Sequence, residues 1–111
     1  MLFKESAFRG VINRSYYAMF YSLLALLATK KLGSSKHSGV ISLFDREFIK
    51  EGIFKPDLSR SLRIAFDRRQ THDYGEMNEV TLEIANDSIN DAEKFLKNIE
   101  EYLRMNGFIK D

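Results

Sequence analysis

One proline in 111 residues, at position 56, leaves the helix as the least obstructed structure for this chain. The apolar spacing agrees. From Phe8 the apolar positions run Val11, Ile12, Tyr16, Phe20, Leu23, Leu24 and Leu27, the three-four rhythm of one buried helix face. Asn13, Arg14, Ser22 and Thr29 fall between them. Gly10 lies inside this pattern at a cost of ~1 kcal/mol relative to Ala. The helix is therefore expected either to begin late or to have a close neighbour at that point. Gly33-Ser34-Ser35 should end it, with Gly33 offering the left-handed cap.

Three further helices follow by the same reasoning. Ser38 is the expected cap of the second, with Val40, Ile41, Phe44, Phe48 and Ile49 on its apolar side and a stop near Glu51-Gly52. Pro56 suits the first turn of the third, whose stripe is Leu58, Leu62, Ala65 and Phe66, and fraying is expected after Arg69. Tyr74-Gly75-Glu76 reads as a loop. Asn78 is the expected cap of a long fourth helix with Val80, Ile84, Ala85, Ala92, Phe95, Ile99 and Leu103 inside, closed by Asn106-Gly107. No period of two appears, so the expected fold class is all-α, an up-and-down bundle of about four main helices in a single domain over residues 1–111.

Length and composition narrow the function classes. The chain holds one core and is too short for two. Nine Phe and five Tyr, with no Trp, give that core aromatic bulk. Without Cys there is neither a disulfide framework nor a thiolate metal site. The longest apolar run, Leu23 to Ala28, is far short of a membrane span, and no signal peptide precedes it, so a cytoplasmic location with no membrane partner is expected. Net charge is +1, but it is unevenly spread. Residues 1–50 carry eight Lys/Arg against three Asp/Glu, and residues 75–111 carry four against nine. A basic front and an acidic tail suit an anionic ligand at one end or head-to-tail association, and equally two solvated helix faces that differ.

Two blocks about fifty positions apart stand out from this background. The first is Asn13-Arg14-Ser15-Tyr16-Tyr17-Ala18-Met19-Phe20-Tyr21, and the second is Arg68-Arg69-Gln70-Thr71-His72-Asp73-Tyr74. With Lys36-His37-Ser38-Gly39 between them, the chain resembles the HEPN domain family. The likeness is to its small prokaryotic branch, in which a Tyr-Tyr-Ala-Met segment precedes an Arg…Asp-Tyr segment. It extends over nearly the whole chain. That branch usually carries another amphipathic helix ahead of the Tyr-Tyr-Ala block. Here only Met1 to Ser6 precede the helical region that contains this block, so the resemblance implies a first helix shortened or absent, or a truncated or misassigned start. An apolar face left open by its loss would be covered by association.

The resemblance implies a chemistry that needs no metal. In active HEPN ribonucleases four to six residues intervene between an Arg and a His, often with a Tyr following as His-x-Tyr. The His moves a proton from the ribose hydroxyl and the Arg stabilises charge on the phosphate. His72-Asp73-Tyr74 supplies His-x-Tyr, but only two, three and eight residues intervene between His72 and Arg69, Arg68 and Arg63 respectively, none within four to six. What matches the branch is Arg69 followed by Asp73-Tyr74. The candidate catalytic residues are therefore Arg68, Arg69 and His72, with Asp73, Tyr74, Arg14 and Tyr17 as candidates for binding or modification. In some HEPN systems a cognate nucleotidyltransferase modifies the tyrosine of His-x-Tyr, to which Tyr74 corresponds.

Structural readings compete at each position. His72 also reads as a solvated residue at a helix end, where positive charge is favourable. If the helix continues, Arg68 and His72 share a face and both reach one phosphate. Arg69 and Asp73 have the spacing of an intrahelical ion pair. Arg14, Tyr16 and Tyr17 fit core and helix-surface roles, with Tyr16 on the buried face and Tyr17 and Tyr21 on a neighbouring one that suits a second subunit. Lys36 and His37 stand where a helix N-terminus accepts an anion. The two histidines make no metal site, and no cofactor is expected. By resemblance, then, the expected function is the helical component of a toxin–antitoxin or nucleotidyltransferase-linked system that binds RNA or nucleotides. A homodimer is expected, with an MNT-type nucleotidyltransferase as partner. The alternatives are a metal-independent endoribonuclease with a degenerate Arg/His motif and a non-catalytic oligomeric scaffold.

Overall fold

Helix α1 runs unbroken over Leu2–Ala28, through Gly10 and both tyrosines, and it is the element around which the others pack. A computed structural model describes residues 2–73 and 80–110, with side chains over 6–70 and 80–110. Helix α2 covers His37–Phe44 and continues into one π-helical turn, Asp45–Ile49. Helices α3 and α4 span Pro56–Asp73 and Leu82–Met105. Among the described residues there is no strand, and no helix is long and apolar enough to cross a membrane. The all-α bundle expected from the spacing is what the chain forms.

The buried faces follow the apolar rhythm closely. Ile12, Tyr16, Phe20, Leu23 and Leu27 of α1 are buried, and so are Ala85, Ala92, Phe95, Ile99 and Leu103 of α4. Met19 and Leu26 join them, whereas Val11 and Leu24 are only half-buried. The face of α1 is therefore rotated slightly from the expected one. α1 packs most extensively against α4 and next against α3, while α2 closes one side against α1 and α3.

Several expected helix ends are corrected. Gly10 causes no late start: α1 begins at Leu2, and a Cβ at Gly10 would meet nothing within 4 Å. Gly33 does not provide the left-handed cap of α1, because Lys31 does, at φ 59°. The Leu32 N–H donates to the Leu27 carbonyl and the Lys31 N–H to the Ala28 carbonyl, both at 3.0 Å, the paired bonds of a Schellman ending. The same pairing closes the π-helical turn at Gly52 and α4 at Gly107, as expected for both glycines.

Helix starts are corrected as well. α2 begins at His37, one residue before Ser38, and its N-cap Lys36 makes no side-chain cap bond. Ser34 Oγ instead accepts the Lys36 N–H at 3.2 Å. Helix α4 is capped by Thr81, whose side chain accepts the Ile84 N–H at 3.2 Å. Asn78, the expected cap, and the expected loop Tyr74-Gly75-Glu76 lie outside the described residues. Pro56 is the first residue of α3 as expected, but α3 does not end at Arg69 and continues to Asp73.

The aromatic rings fall into two groups. Phe44, Phe48, Phe54, Phe95 and Tyr102 pack with centroids 5.4–6.1 Å apart and form an apolar plug between the π-helical turn and α4. The other group, Tyr16, Tyr17, Phe20, His37 and Phe66, joins α1, α2 and α3 and carries polar atoms. Only this second group offers chemistry.

Candidate functional site

The second aromatic group is where the two sequence blocks meet. Arg69, one turn before the end of α3, donates its Nε–H to Asn13 Oδ1 at 3.2 Å, across 56 positions. Its guanidinium carbon stands 5.0 Å from the Tyr17 ring centroid and 5.6 Å from that of Tyr16. A cation over aromatic faces is attracted by their negative quadrupole, most strongly where water is partly excluded. Asn13 lies three and four residues before Tyr16 and Tyr17, so α1 presents the amide and both rings along one stripe. That stripe receives Arg69.

His37 enters from the start of α2. Its Nδ1 is 2.8 Å from the Tyr16 hydroxyl, and its ring stacks on Phe20 at a centroid distance of 4.2 Å. Tyr17 meets the imidazole edge-on at 6.0 Å. Arg69 and His37 thus meet the same tyrosine pair from two different partners of α1, namely α3 and α2. Burial pushes the Tyr16 hydroxyl up to about 12, more than enough to keep it protonated against the opposing effect of Arg69. The imidazole is shifted the other way. Burial first, and then the charge of Arg69, lower it from 6.5 and favour neutral His37.

The candidate residues separate sharply. Arg68 does not join its neighbour: it turns to α4, where its Nη1 pairs with Asp91 at 3.1 Å and meets Ser88 Oγ at 3.4 Å. Adjacent residues on a helix point about 100° apart, so one arginine bridges α3 to α4 and the other α3 to α1. Arg68 is thus paired with Asp91, and the His72 side chain with which it is expected to share a phosphate lies outside the described residues. Arg14 is exposed and makes no hydrogen bond or ion pair among the described residues; it borders a shallow groove with Ser6, Ala7, Gly10 and Val11. Tyr17 is half-buried within the cluster, and Tyr21, 63% exposed, continues its stripe outward at 5.9 Å. The side chains of His72 and Asp73, and all of Tyr74, lie outside the described residues, and with them the expected Arg69–Asp73 pair.

Asn13 and His37 are the two contributors that the spacing argument did not place in the site. Both carried a usable signal, since each is a polar residue inside a block already singled out. Phe66 connects the cluster to a cleft of about 320 Å³ between α2 and α3, which Ser38, Ile41, Ser42, Arg63 and Asp67 also line. Arg63 there is committed to Asp45, which also accepts from Ser59 Oγ. Among the described residues no group of three or more His, Cys, Asp or Glu is placed to hold a metal ion.

Comparison with known proteins identifies the family. The model of the HEPN domain matches residues 1–102. A Thermotoga maritima protein named "UPF0332 protein" is 43% identical over 103 residues, covering 93% of this chain and 78% of its own. A Methanocaldococcus jannaschii protein named "Putative toxin MJ0142" is 34% identical over 109 residues, covering 98% of this chain and 74% of its own. A second protein of that organism, "Putative toxin MJ0605", is 36% identical over 104 residues, with 94% and 77% covered. No solved structure matches. The match over residues 1–102, together with similarity of this extent to those relatives, makes the chain a member of the HEPN domain family.

Proposed function

We propose that this chain is the helical, toxin-type component of a toxin–antitoxin or nucleotidyltransferase-linked pair, and that its Arg69 face binds RNA. The observation carrying this reading is the fixed guanidinium. Asn13 holds its Nε–H and Tyr16 and Tyr17 lie beneath it, so the planar donor fork is oriented before any ligand arrives. The basic excess of residues 1–50 favours a polyanion on the α1–α2 side, and the acidic excess of residues 75–111 disfavours one along α4. The names of the Methanocaldococcus relatives support a toxin role. A twofold homodimer and a nucleotidyltransferase partner belong to the same proposal.

Binding of a fluorescein-labelled oligouridylate tests it. Anisotropy should show an affinity that falls with salt and drops at least about tenfold in Arg69→Gln, the loss of a charge-assisted hydrogen bond. Equal affinity of the variant and the unmodified protein would remove Arg69 from the function. Incubating the protein with RNA in EDTA separates binding from turnover. Cleavage that survives chelation and disappears in His72→Ala would convert the binding module into a metal-independent endoribonuclease. Co-expression with the neighbouring gene's product, followed by pull-down, tests the partner.

A further inference from the structure

His37 has no role in the binding surface argued above, yet its placement exceeds what a core histidine requires. We infer that His37 is the second phosphate-contacting group of the Arg69 site, so that one phosphodiester of a bound RNA lies between the His37 imidazole and the Arg69 guanidinium. This rests on the RNA-binding reading and adds to it a residue, an element and a geometry.

Four observations carry the inference. The first is placement: guanidinium and imidazole stand 5.0 Å and 6.0 Å from the centroid of the Tyr17 ring, and 5.6 Å and 5.8 Å from that of Tyr16, so both border one tyrosine pair. The second is fixation. Phe20 stacks on one face of the imidazole and the Tyr16 hydroxyl meets Nδ1, so the ring is held in one orientation. The third is the remaining ring nitrogen. Nδ1 is taken by the Tyr16 hydroxyl, whereas Nε2 makes no hydrogen bond among the described residues. Nε2 donates to an anion in the imidazolium and in the neutral tautomer that receives the Tyr16 O–H at Nδ1.

The fourth observation is electrostatic. The charge that acts on His37 is that of Arg69, and it is repulsive towards the imidazolium. A structural histidine gains nothing from such a neighbour. An anion between the two relieves the repulsion and accepts from both, because a phosphodiester has two non-bridging oxygens and a single negative charge. Tyr16 is a positioning residue in this arrangement, acting through the orientation of the imidazole.

The test is a titration of the full chain with oligouridylate, whose phosphodiesters keep a constant charge between about pH 5 and 8, the range in which an imidazole responds. The ring nitrogens of His37 are followed by ¹H–¹⁵N NMR, and the His37 signals are assigned by their loss in His37→Gln. The inference requires the Nε2 signal to move on saturation, the imidazole midpoint to rise, and both changes to vanish in Arg69→Gln. It also requires His37→Gln to weaken the oligonucleotide about tenfold, as expected for a hydrogen bond to a charged group. Arg69-dependent binding with unmoved His37 signals and an unweakened His37→Gln would overturn the inference and leave the RNA reading intact. No oligonucleotide binding at all would overturn the RNA reading and this inference with it. If His37→Gln folds poorly, the loss of the other histidine's signals in His72→Gln assigns those of His37 by elimination, and the shifts in the protein with His37 intact decide the matter.

Discussion

The imidazole of His37 lies nearly parallel to the ring of Phe20, 26° between planes and 4.2 Å between centroids, at the seam where α2 meets α1. That stack holds a group whose protonation the fold resists, and the resistance has a measurable sign. His37 is lowered from 6.5 by burial and by Arg69, so between its folded value and 6.5 the unfolded chain binds more protons than the native one. Stability is therefore complete above pH 6.5 and declines as the pH falls through this window. Thermal melts from pH 7.5 down to 5 should show a falling Tm. His37→Gln should flatten that slope, and an unchanged slope would mean that some other group carries the acid sensitivity.

Arg68 and Arg69 are neighbours with opposite duties. Arg68→Ala breaks the partly exposed pair with Asp91 and should lower stability by about 1 kcal/mol while leaving RNA affinity unchanged. Arg69→Lys keeps the charge and loses the planar fork that Asn13 orients, so affinity should fall although net charge does not. Denaturant curves beside anisotropy titrations separate the two effects.

The glycines give opposite expectations from one substitution. Gly10 sits in open space within α1, and Gly10→Ala should stabilise the protein by about 0.5–1 kcal/mol. At Gly39 an added Cβ would come within 3.0 Å of the Ser34 side chain, the group that accepts the Lys36 N–H ahead of α2. Gly39→Ala should therefore cost stability, by about 1 kcal/mol, despite the better helix propensity of Ala. Urea midpoints of the two variants should move in opposite directions.

Lys31 holds a left-handed backbone that β-carbons resist. Lys31→Gly should stabilise by roughly 1 kcal/mol, readable as a raised Tm.

Phe95 is fully buried against Phe44 in the apolar plug. Phe95→Ala should cost about 3–5 kcal/mol, and a denaturant-measured loss below 1 kcal/mol would contradict that packing.

Helix number and buried faces were legible in the spacing because burial selects apolar residues at the helical period, and Phe20, Phe95 and Ile99 could hardly face elsewhere. Helix ends were less so. Lys31 rather than Gly33 takes the left-handed position because the Schellman bonds form where packing of Leu27 ends the helix, and local propensity yields to that. Likewise Thr81 caps α4 beside the buried Val80, a position that local propensity alone does not single out. The site was half legible. Both sequence blocks were visible, but nothing in their spacing could show that Asn13 holds Arg69 or that His37 meets Tyr16, because such polar contacts depend on how the helices cross.

The heaviest packing in the molecule joins the first helix to the last. Every described contributor to the Arg69 cluster precedes α4 in the chain, yet the hydrophobic side of α1 is sealed only when α4 docks. During synthesis, then, the residues of the cluster emerge before the helix that covers most of α1, and the α1–α3 junction reaches its full burial only once α4 has left the exit tunnel.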